Sequence, residues 1–201
     1  MSRIAEAFAA LRREGRAGLV TYVTAGDPTP AQSADVLRAI AAAGADVLEV
    51  GVPFSDPIAD GPAIQRATER ALAAGGNLTV TLDLIASVRG EIRQPIVLFT
   101  YVNPVIQFGI DAFVARAAEA GVDGVLLLDL PIEESADMCQ RLASRGIDQI
   151  FLISPTTTEP RVRQAAALGR GFLYVISRLG VTGARAEVSG SAAPLLSLIH
   201  I

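Results

Sequence analysis

The sequence is poor in the residues on which metal and thiol chemistry depend. Cys139 is the single cysteine among 201 residues, and the single histidine, His200, lies in the last two positions. One cysteine cannot form an intramolecular disulfide or a thiol cluster for zinc, and no histidine is placed to activate it as a nucleophile. We therefore expect Cys139 to pack as a small apolar residue on a helix, and we expect no metal site.

Lysine is absent as well. All 17 basic residues are arginines, which disfavours an aldolase that works through a lysine Schiff base. The net charge of -4 and the pI near 5.0 give no support for binding to nucleic acid or to an anionic membrane. No apolar run approaches the ~20 residues of a transmembrane helix, and the N-terminal stretch has helical spacing, not that of a signal peptide. We expect a cytoplasmic protein with neither a membrane nor a nucleic-acid partner.

Short, nearly continuously apolar segments alternate with longer amphipathic ones, as in parallel strands that helices cover on both faces. The predicted strands are 18–25, 46–51, 95–101, 123–130, 149–154 and 171–177. The predicted helices, after one at the N-terminus, are 30–43, 62–73, 78–91, 111–120, 133–145 and 159–168. Prolines near helix starts and glycines after helix ends mark the boundaries. With 51% hydrophobic residues, the chain is predicted to form one domain of repeated βα units.

Repeated βα units form either an open doubly wound sheet or a closed eight-stranded barrel. No GxGxxG motif follows the first strand, which weakens the dinucleotide-binding alternative. Polar residues follow the strands, whereas the joints on the other side (AGAD, AGVD and RGID) are short and alike. Functional residues that follow the strands are typical of a (βα)8 TIM barrel. We predict this fold in incomplete form, with about six βα units and strands 7 and 8 missing.

The stretch LEVGVPFSDPIADGP (48–62) carries two carboxylates that favour acid–base chemistry. Glu49 lies in an apolar strand, where burial raises the pKa of a carboxyl group, and Asp60 follows in the next loop. Carboxylates in different environments can divide the acid and base roles. The residues alone leave structural alternatives open: Glu49 as a satisfied interior residue, Asp60 as the N-cap of the helix at Pro62, and Asp56 in an Asx turn.

This stretch resembles the strand-2 signature of the tryptophan synthase alpha chain family. Further matching segments, in the order and spacing of the family, are YVTAGDP (22–28), YVNPV (101–105), AGVDGVLLLDLPIEES (120–135), ISPTTT (153–158) and GFLYVISRLGVTGAR (171–185). The likeness covers residues 3–195. It implies a (βα)8 barrel that cleaves indole-3-glycerol phosphate to indole and glyceraldehyde 3-phosphate, a retro-aldol carbon–carbon lyase reaction in L-tryptophan biosynthesis.

The resemblance also implies roles for single residues. Glu49 would protonate indole C3 and handle the proton of the glycerol hydroxyl group, and Asp60 would stabilise the charge that develops at the indole nitrogen. Thr182 would hydrogen-bond Asp60 when the loop after strand 6 closes. The residues that would bind the substrate are Tyr22, Thr100, Leu126, Leu128, Leu152, Tyr174, Thr182 and Gly183. Without the resemblance, the strand residues among them are equally well ordinary barrel core.

A tryptophan synthase beta chain is the partner that the resemblance implies, in an alpha2beta2 tetramer. The pyridoxal phosphate belongs to the beta chain, so this chain would need no cofactor. The predicted interface residues are Pro53, Asp56, Asn103 and Pro131. Two alternatives stay open: another barrel that acts on sugar phosphates, such as an isomerase or a different aldolase, and a non-catalytic alpha-type chain that only binds and activates the beta chain.

The end of the chain departs from the family pattern. We predict a partial barrel domain over 1–195 and a non-native tail, LSLIHI, over 196–201, which one reading frame of a transposon-library adaptor would encode. The family's strands 7 and 8, whose loops hold the substrate phosphate at a helix N-terminus, have no counterpart here. We therefore expect the 201-residue chain to be poorly soluble and to have little or no lyase activity, whereas a full-length parent would be active.

Overall fold

The computed structural model describes residues 2–176, which form a parallel six-stranded sheet in the order β1-β2-β3-β4-β5-β6. The strands are β1 Val20–Thr24, β2 Val47–Gly51, β3 Ile96–Thr100, β4 Gly124–Leu127, β5 Asp148–Ile153 and β6 Leu173–Val175. The helices are α1 Arg3–Glu14, α2 Pro30–Ala42, α3 Pro62–Ala73, α4 Leu78–Arg89, α5 Val102–Phe108, α6 Ile110–Ala120, α7 Ala136–Ser144 and α8 Glu159–Leu168, with a short 3-10 turn at Ile132–Glu134. Parallel neighbours in sequence order with helices between them are the arrangement of a partial (βα)8 barrel, as predicted. Thr182, Gly183 and the 196–201 tail lie outside the described residues.

Local sequence signals set the ends of the helices. The side chains of Thr29 and Asn77 accept hydrogen bonds from backbone N–H groups three residues further on, at 3.3 and 3.0 Å, and so cap α2 and α4. Prolines occupy the first turn of α2, α3 and α8, where the missing N–H group costs no hydrogen bond. The glycines of the three repeated joints have positive φ angles: Gly44 at 100°, Gly121 at 82° and Gly146 at 74°.

Side chains alternate between two faces of the sheet. Leu48 and Leu98 point outward and pack with Leu82, Ile85 and Phe113 of the surrounding helices. The opposite face forms a second apolar cluster inside the barrel, made by Val47, Val97, Leu126 and Ile150. Because the period of a strand is two residues, this alternation decides which residues can reach a site inside the barrel.

Helix α1 packs against the interior cluster at the N-terminal end of the strands. Ile4 is fully buried in that cluster, and the ring centroids of Phe8 and Phe172 lie 5.4 Å apart. The N-cap residue Ser2 donates a hydrogen bond of 2.5 Å to Asp148 Oδ2 at the start of β5. The interior at this end is therefore occupied by apolar side chains, and the opposite end of the strands is left for function.

A buried acidic residue joins three elements at the N-terminal end. Asp123, just before β4, accepts hydrogen bonds from Arg3 of α1 at 2.9 Å, from Arg89 of α4 at 3.1 Å, and from the backbone N–H of Ile96 at 2.9 Å. Arg89 also donates to the carbonyl groups of Ile92 and Gln94. The charge of Asp123 is thus fully compensated, and the N-terminal ends of β3 and β4 are held together.

The structure adds one helix that the sequence analysis did not predict. Helix α5 lies between the predicted strand 95–101 and the predicted helix 111–120, in a segment for which the sequence pattern predicts no helix. Its first N–H, that of Val102, donates to Asp129 Oδ1 at 2.7 Å. This acceptor comes from the loop after β4, 27 residues away along the chain, so no local pattern indicates this helix start.

Two further structural findings concern membranes and thiols. Within residues 2–176 no single helix is long and apolar enough to cross a membrane, and only the pair Pro62–Ala73 and Leu78–Arg89, bent by 92°, meets the criteria of length and composition together. Cys139 is partly buried on α7 and packs against the apolar cluster under α8, as expected. Burial raises the pKa of its thiol.

Candidate active site

Glu49 is a buried carboxyl group in the middle of β2. It lies in register between Tyr22 of β1 and Val97 of β3, and alternation places its side chain on the interior face. The residue is 2% exposed, and its Oε1 has no hydrogen-bond partner among the described residues. Burial raises the pKa of Glu49 to about 7. A carboxyl group with this pKa can both donate and accept a proton near neutral pH.

Asp60 is buried even though it belongs to a loop. The residue is 7% exposed, and burial raises the pKa of its carboxyl group. Two hydrogen bonds fix the loop: the Ala59 N–H donates to the Tyr101 hydroxyl at 3.0 Å, and Gln65 Nε2 donates to the Asp60 carbonyl at 2.9 Å. The N-cap of α3 is Gly61, so the alternative that Asp60 caps this helix is wrong. Its carboxylate is left for another role.

Tyr22 brings the two carboxyl groups into one region. Its hydroxyl oxygen lies directly over Gly51, so closely that a Cβ atom at Gly51 would be 2.1 Å from it. Burial is the main cause that raises the pKa of Tyr22; the side chain of Thr24 acts in the opposite direction, and the negative charges of Asp60 and Glu49 add smaller increases. A charge acts strongly on a neighbour only at short range. Glu49 is the register partner of Tyr22 in the sheet, and the charges of both carboxyl groups act on the Tyr22 phenol group.

A cavity of about 330 Å³ lies beside these groups. Its wall includes Tyr22 and Glu49 on one side and Phe172 and Tyr174 of the sixth βα unit on the other. The charge of Glu49 adds to burial in raising the pKa of Tyr174. Its lining combines aromatic and aliphatic side chains with the carboxyl group of Glu49.

The interior walls carry most of the predicted substrate-binding residues. Leu126 and Leu128 belong to the interior cluster, together with Tyr174. Leu152 pairs with Tyr174 across β5 and β6, and it alternates with Phe151 and Ile153, which pack under α8. Tyr22, Leu126, Leu128, Leu152 and Tyr174 thus share the interior face with Glu49.

The prediction for Thr100 needs a correction. In the register of β3 and β4, Thr100 pairs with Leu127, which packs among the outer helices, whereas Phe99 pairs with Leu126 of the interior cluster. Thr100 therefore lies on the helix-facing side, and Phe99 takes the interior position. The Phe99 ring meets Tyr22 edge-on, with centroids 5.3 Å apart, and Tyr174 at 6.3 Å.

Sequence reasoning missed two hydroxyl groups of the site. Tyr101 holds the Asp60 loop, as described above. Thr24 ends β1 in register with Gly51, is 6% exposed, and its Oγ1 has no hydrogen-bond partner among the described residues. Counting in steps of two from Tyr22 along β1 would have placed Thr24 on the interior face.

The predicted partner-binding residues divide into two groups. Asp56, Asn103 and Pro131 are exposed, in the segments that follow β2, β3 and β4. Pro53 is buried and lies against Gly76, where an added Cβ atom would be 3.1 Å from Pro53 Cγ. Pro53 therefore packs inside the chain, and its place in the interface stays a prediction. The same end of the barrel exposes Ile58 (82%) and Ile106 (54%).

Comparison with known proteins identifies the family. The sequence profile of the family described as tryptophan synthase alpha chain matches residues 8–200. The chain belongs to the tryptophan synthase alpha chain family. The alpha chain of Solibacter usitatus (strain Ellin6076) is 46% identical over 200 residues, which are 100% of this chain and 75% of that protein. The alpha chain of Burkholderia mallei (strain NCTC 10229) is 50% identical over 185 residues, 92% of this chain and 68% of that protein.

Solved structures of tryptophan synthase agree with this result. The structure of Mycobacterium tuberculosis tryptophan synthase contains a chain with a TM-score of 0.91 and 37% identity, over 99% of this chain and 76% of that one. The alpha subunit of Legionella pneumophila str. Paris gives a TM-score of 0.85 at 40% identity, over 88% of this chain and 68% of that one. Tryptophan synthase alpha chains are carbon–carbon lyases with a TIM-barrel fold, so the predicted family, fold class and enzyme class are confirmed.

Proposed function

We propose that Glu49 and Asp60 of this alpha chain carry out the cleavage of indole-3-glycerol phosphate to indole and glyceraldehyde 3-phosphate. The observation that supports this most directly concerns Glu49: it is a buried carboxyl group at the wall of a cavity, its Oε1 has no hydrogen-bond partner within residues 2–176, and its pKa is about 7. A strand position without function would have an apolar residue there, because burying an unpaired carboxylate costs several kcal/mol.

The chemistry needs one acid and one anion. Protonated Glu49 gives its proton to indole C3, and the ionised carboxylate of Asp60 stabilises the positive charge that this places on the ring nitrogen. The bond between C3 and the glycerol carbon then breaks, and its electron pair returns to the ring. The hydroxyl proton on that carbon moves to Glu49 as the aldehyde forms. Glu49 ends protonated as it began, and no oxidant or water is consumed.

The interior side chains suit the leaving group. Tyr22 and Tyr174 line the cavity, Phe99 packs edge-on against both of them, and Leu126 and Leu128 belong to the same interior cluster. A flat apolar ring gains free energy from burial against such surfaces and from stacked or edge-on contacts with aromatic rings. Indole would therefore lie between the two carboxyl groups.

Indole release by the full-length parent of this chain, measured with a beta chain present and absent, tests this assignment. We expect Glu49→Gln and Asp60→Asn each to lower the rate by about 10²- to 10⁴-fold, the usual loss when a general acid or base is removed. The matched control is Glu119→Gln, at an exposed position on α6, which should leave the rate unchanged. A Glu49→Gln variant that kept its rate, or an unaltered full-length parent that released no indole even with a beta chain present, would contradict the proposal.

We further propose that a tryptophan synthase beta chain binds the end of the barrel where the strands terminate. Asp56, Asn103 and Pro131 are exposed there, and Ile58 and Ile106 add apolar surface that has no partner within the described part of the chain. The beta chain would carry the pyridoxal phosphate, and the alpha reaction above draws only on side chains of this chain. An alpha2beta2 tetramer in the cytoplasm is the assembly that we propose.

A further inference from the structure

We propose that Tyr101 is a positioning residue of the alpha reaction, whose phenol oxygen holds the Asp60 carboxylate in its catalytic place by accepting the N–H of Ala59. The proposal rests on the catalytic role of Asp60 proposed above. It concerns one side-chain atom, the Tyr101 hydroxyl oxygen, and one backbone group, the N–H of the residue that precedes Asp60.

The phenol oxygen of Tyr101 belongs to a fixed part of the barrel. Before Tyr101, the carbonyl group of Thr100 accepts the N–H of Leu128 at 3.0 Å, which attaches the end of β3 to the segment that follows β4. After Tyr101, the N–H of Val102 donates to Asp129 Oδ1 at 2.7 Å. Tyr101 is 3% exposed, so neighbouring groups also confine its ring. A hydrogen bond to this oxygen therefore ties its donor to the sheet.

The loop between β2 and α3 contacts the Tyr101 side chain near both of its ends. Near the beginning of the loop, the Phe54 ring packs against the Tyr101 ring, with the centroids 5.3 Å apart. Near its end, the Ala59 N–H donates to the Tyr101 hydroxyl oxygen at 3.0 Å. The ring contact does not need the hydroxyl group, whereas the hydrogen bond does. Tyr101→Phe consequently removes the second contact and keeps the first.

The hydrogen bond acts on Asp60 through a single peptide unit. Ala59 directly precedes Asp60, and both lie in a turn in which the Asp60 N–H donates to the Pro57 carbonyl at 3.2 Å. On the other side, Gln65 of α3 donates from Nε2 to the Asp60 carbonyl at 2.9 Å. The backbone around Asp60 is thus held from two elements, and Tyr101 holds it from the side of β3.

The reaction depends on where this backbone lies. Ser55, Asp56 and Ile58 of the same loop are exposed and bury little surface that could fix it, yet Asp60 is 7% exposed. Asp60 must meet the indole nitrogen closely to stabilise the charge that develops there. A misplacement of about 1 Å can lower a rate about 10²-fold. We therefore expect loss of the Tyr101 oxygen to slow the chemical step.

Amide exchange in the full-length parent tests the hydrogen bond without requiring turnover. The parent is labelled with nitrogen-15 alanine, and the Ala59 signal is assigned with Ala59→Gly. We expect exchange of the Ala59 amide with solvent to become about tenfold faster in Tyr101→Phe, which keeps the ring and removes the acceptor. Unchanged exchange in a folded Tyr101→Phe variant would overturn the proposal.

Tyr174→Phe is the matched control for the exchange measurement. Tyr174 is a partly buried phenol of β6 that lines the cavity beside Glu49, and Ala59 is not part of that cavity wall. The variant removes a phenol oxygen from the same barrel and should leave the Ala59 exchange rate unchanged. Equal acceleration in both variants would show a general loosening of the barrel, and the proposal would be wrong.

Steady-state kinetics of indole release separates a positioning role from a structural one. The charge that Asp60 stabilises is greatest in the transition state, so a misplaced Asp60 lowers kcat with little change in KM. For the parent with a beta chain present, we expect Tyr101→Phe to lower kcat about 10- to 100-fold and to change KM less than about threefold. If kcat stays unchanged in the folded variant, the oxygen serves stability alone and the proposal is wrong.

A double-mutant cycle with Asp60→Asn distinguishes failure of this inference from failure of the proposed function. If Tyr101 acts through the Asp60 carboxylate, Tyr101→Phe lowers the rate much less in the Asp60→Asn background than in the unaltered parent. Equal losses in the two backgrounds would overturn the inference and leave the role of Asp60 intact. If Asp60→Asn alone keeps the full rate, the catalytic role of Asp60 fails, and this inference fails with it even where the exchange data show the hydrogen bond.

Discussion

The burial of the Glu49 carboxyl group inside the barrel has a consequence for the stability of the chain. The pKa of Glu49 is about 7 in the folded chain against a reference value of 4.5, so the folded state holds its proton more tightly than the unfolded state does. The stabilisation that Glu49 contributes is fully present at a pH below its pKa in the unfolded chain. It is lost as the pH rises through its pKa in the folded chain. By about pH 8 the loss amounts to about 3 kcal/mol.

Glu49→Gln should remove this dependence. Relative to the unaltered chain, the free energy of unfolding of the variant is expected to rise by about 3 kcal/mol between about pH 4 and about pH 8, as urea denaturation at each pH would show. The exposed Glu119→Gln serves again as the control, and its difference from the unaltered chain should stay flat. A flat difference for Glu49→Gln as well would mean that Glu49 is ionised without penalty in the folded state.

At the level of single elements, the charge network at Asp123 is expected to matter for stability. Asp123→Ala leaves the mostly buried Arg89, whose side chain is 13% exposed, without its carboxylate. Removal of one partner of a buried ion pair typically costs about 3–5 kcal/mol. Asp83→Ala breaks an exposed pair with Arg116 and should cost less than about 1 kcal/mol. Equal losses in urea denaturation would show that burial does not decide the effect.

Helix α1 should stabilise the folded chain through the apolar side chains that it buries in the interior cluster. Ile4→Ala removes a fully buried side chain from the interior cluster and is expected to cost about 2–5 kcal/mol of unfolding free energy. The control, Leu19→Ala, shortens a side chain that is 56% exposed and should cost less than about 1 kcal/mol. Thermal denaturation of the two variants side by side gives the comparison. Similar losses would contradict the role of α1.

The sequence predicts a helix end or a strand face well when the residues that determine it lie within a few positions of each other. Helices with a proline in the first turn and a glycine after the last begin and end close to where the pattern put them, since those signals act within a few residues. Helix α5 was missed because Asp129, which accepts its first N–H, comes from another unit of the barrel. Thr100 was misplaced by one residue, which is enough to turn a side chain to the other face of a strand.

The carboxyl groups of the site were easier to anticipate than its hydroxyl groups. Glu49 is conspicuous because it interrupts an apolar strand, and the nearby Asp60 follows from the same motif. Thr24 and Tyr101 look like ordinary strand residues in the sequence. Their importance depends on burial and on a contact across strands, which only the folded chain shows.

For the whole molecule, the exposed apolar residues predict where a partner binds. Ile58→Ser at the carboxyl end of the strands should weaken binding of a tryptophan synthase beta chain about tenfold, because an isoleucine side chain buried in an interface contributes about 1.5–3 kcal/mol. Leu19→Ser places the same kind of change at the opposite end of the sheet and should not alter the affinity. Isothermal titration calorimetry with the purified beta chain measures both. An equal effect of the two would place the interface elsewhere.

The ring of Phe99 makes edge contacts with Tyr22, on which the charge of Asp60 acts, and with Tyr174, on which the charge of Glu49 acts. Its protons consequently lie in the ring currents of both tyrosines at once. A flat aromatic ligand that binds between the three rings adds its own ring current and displaces one of the two tyrosine rings. One set of phenylalanine resonances would therefore register occupancy near both acids, without a label on the ligand.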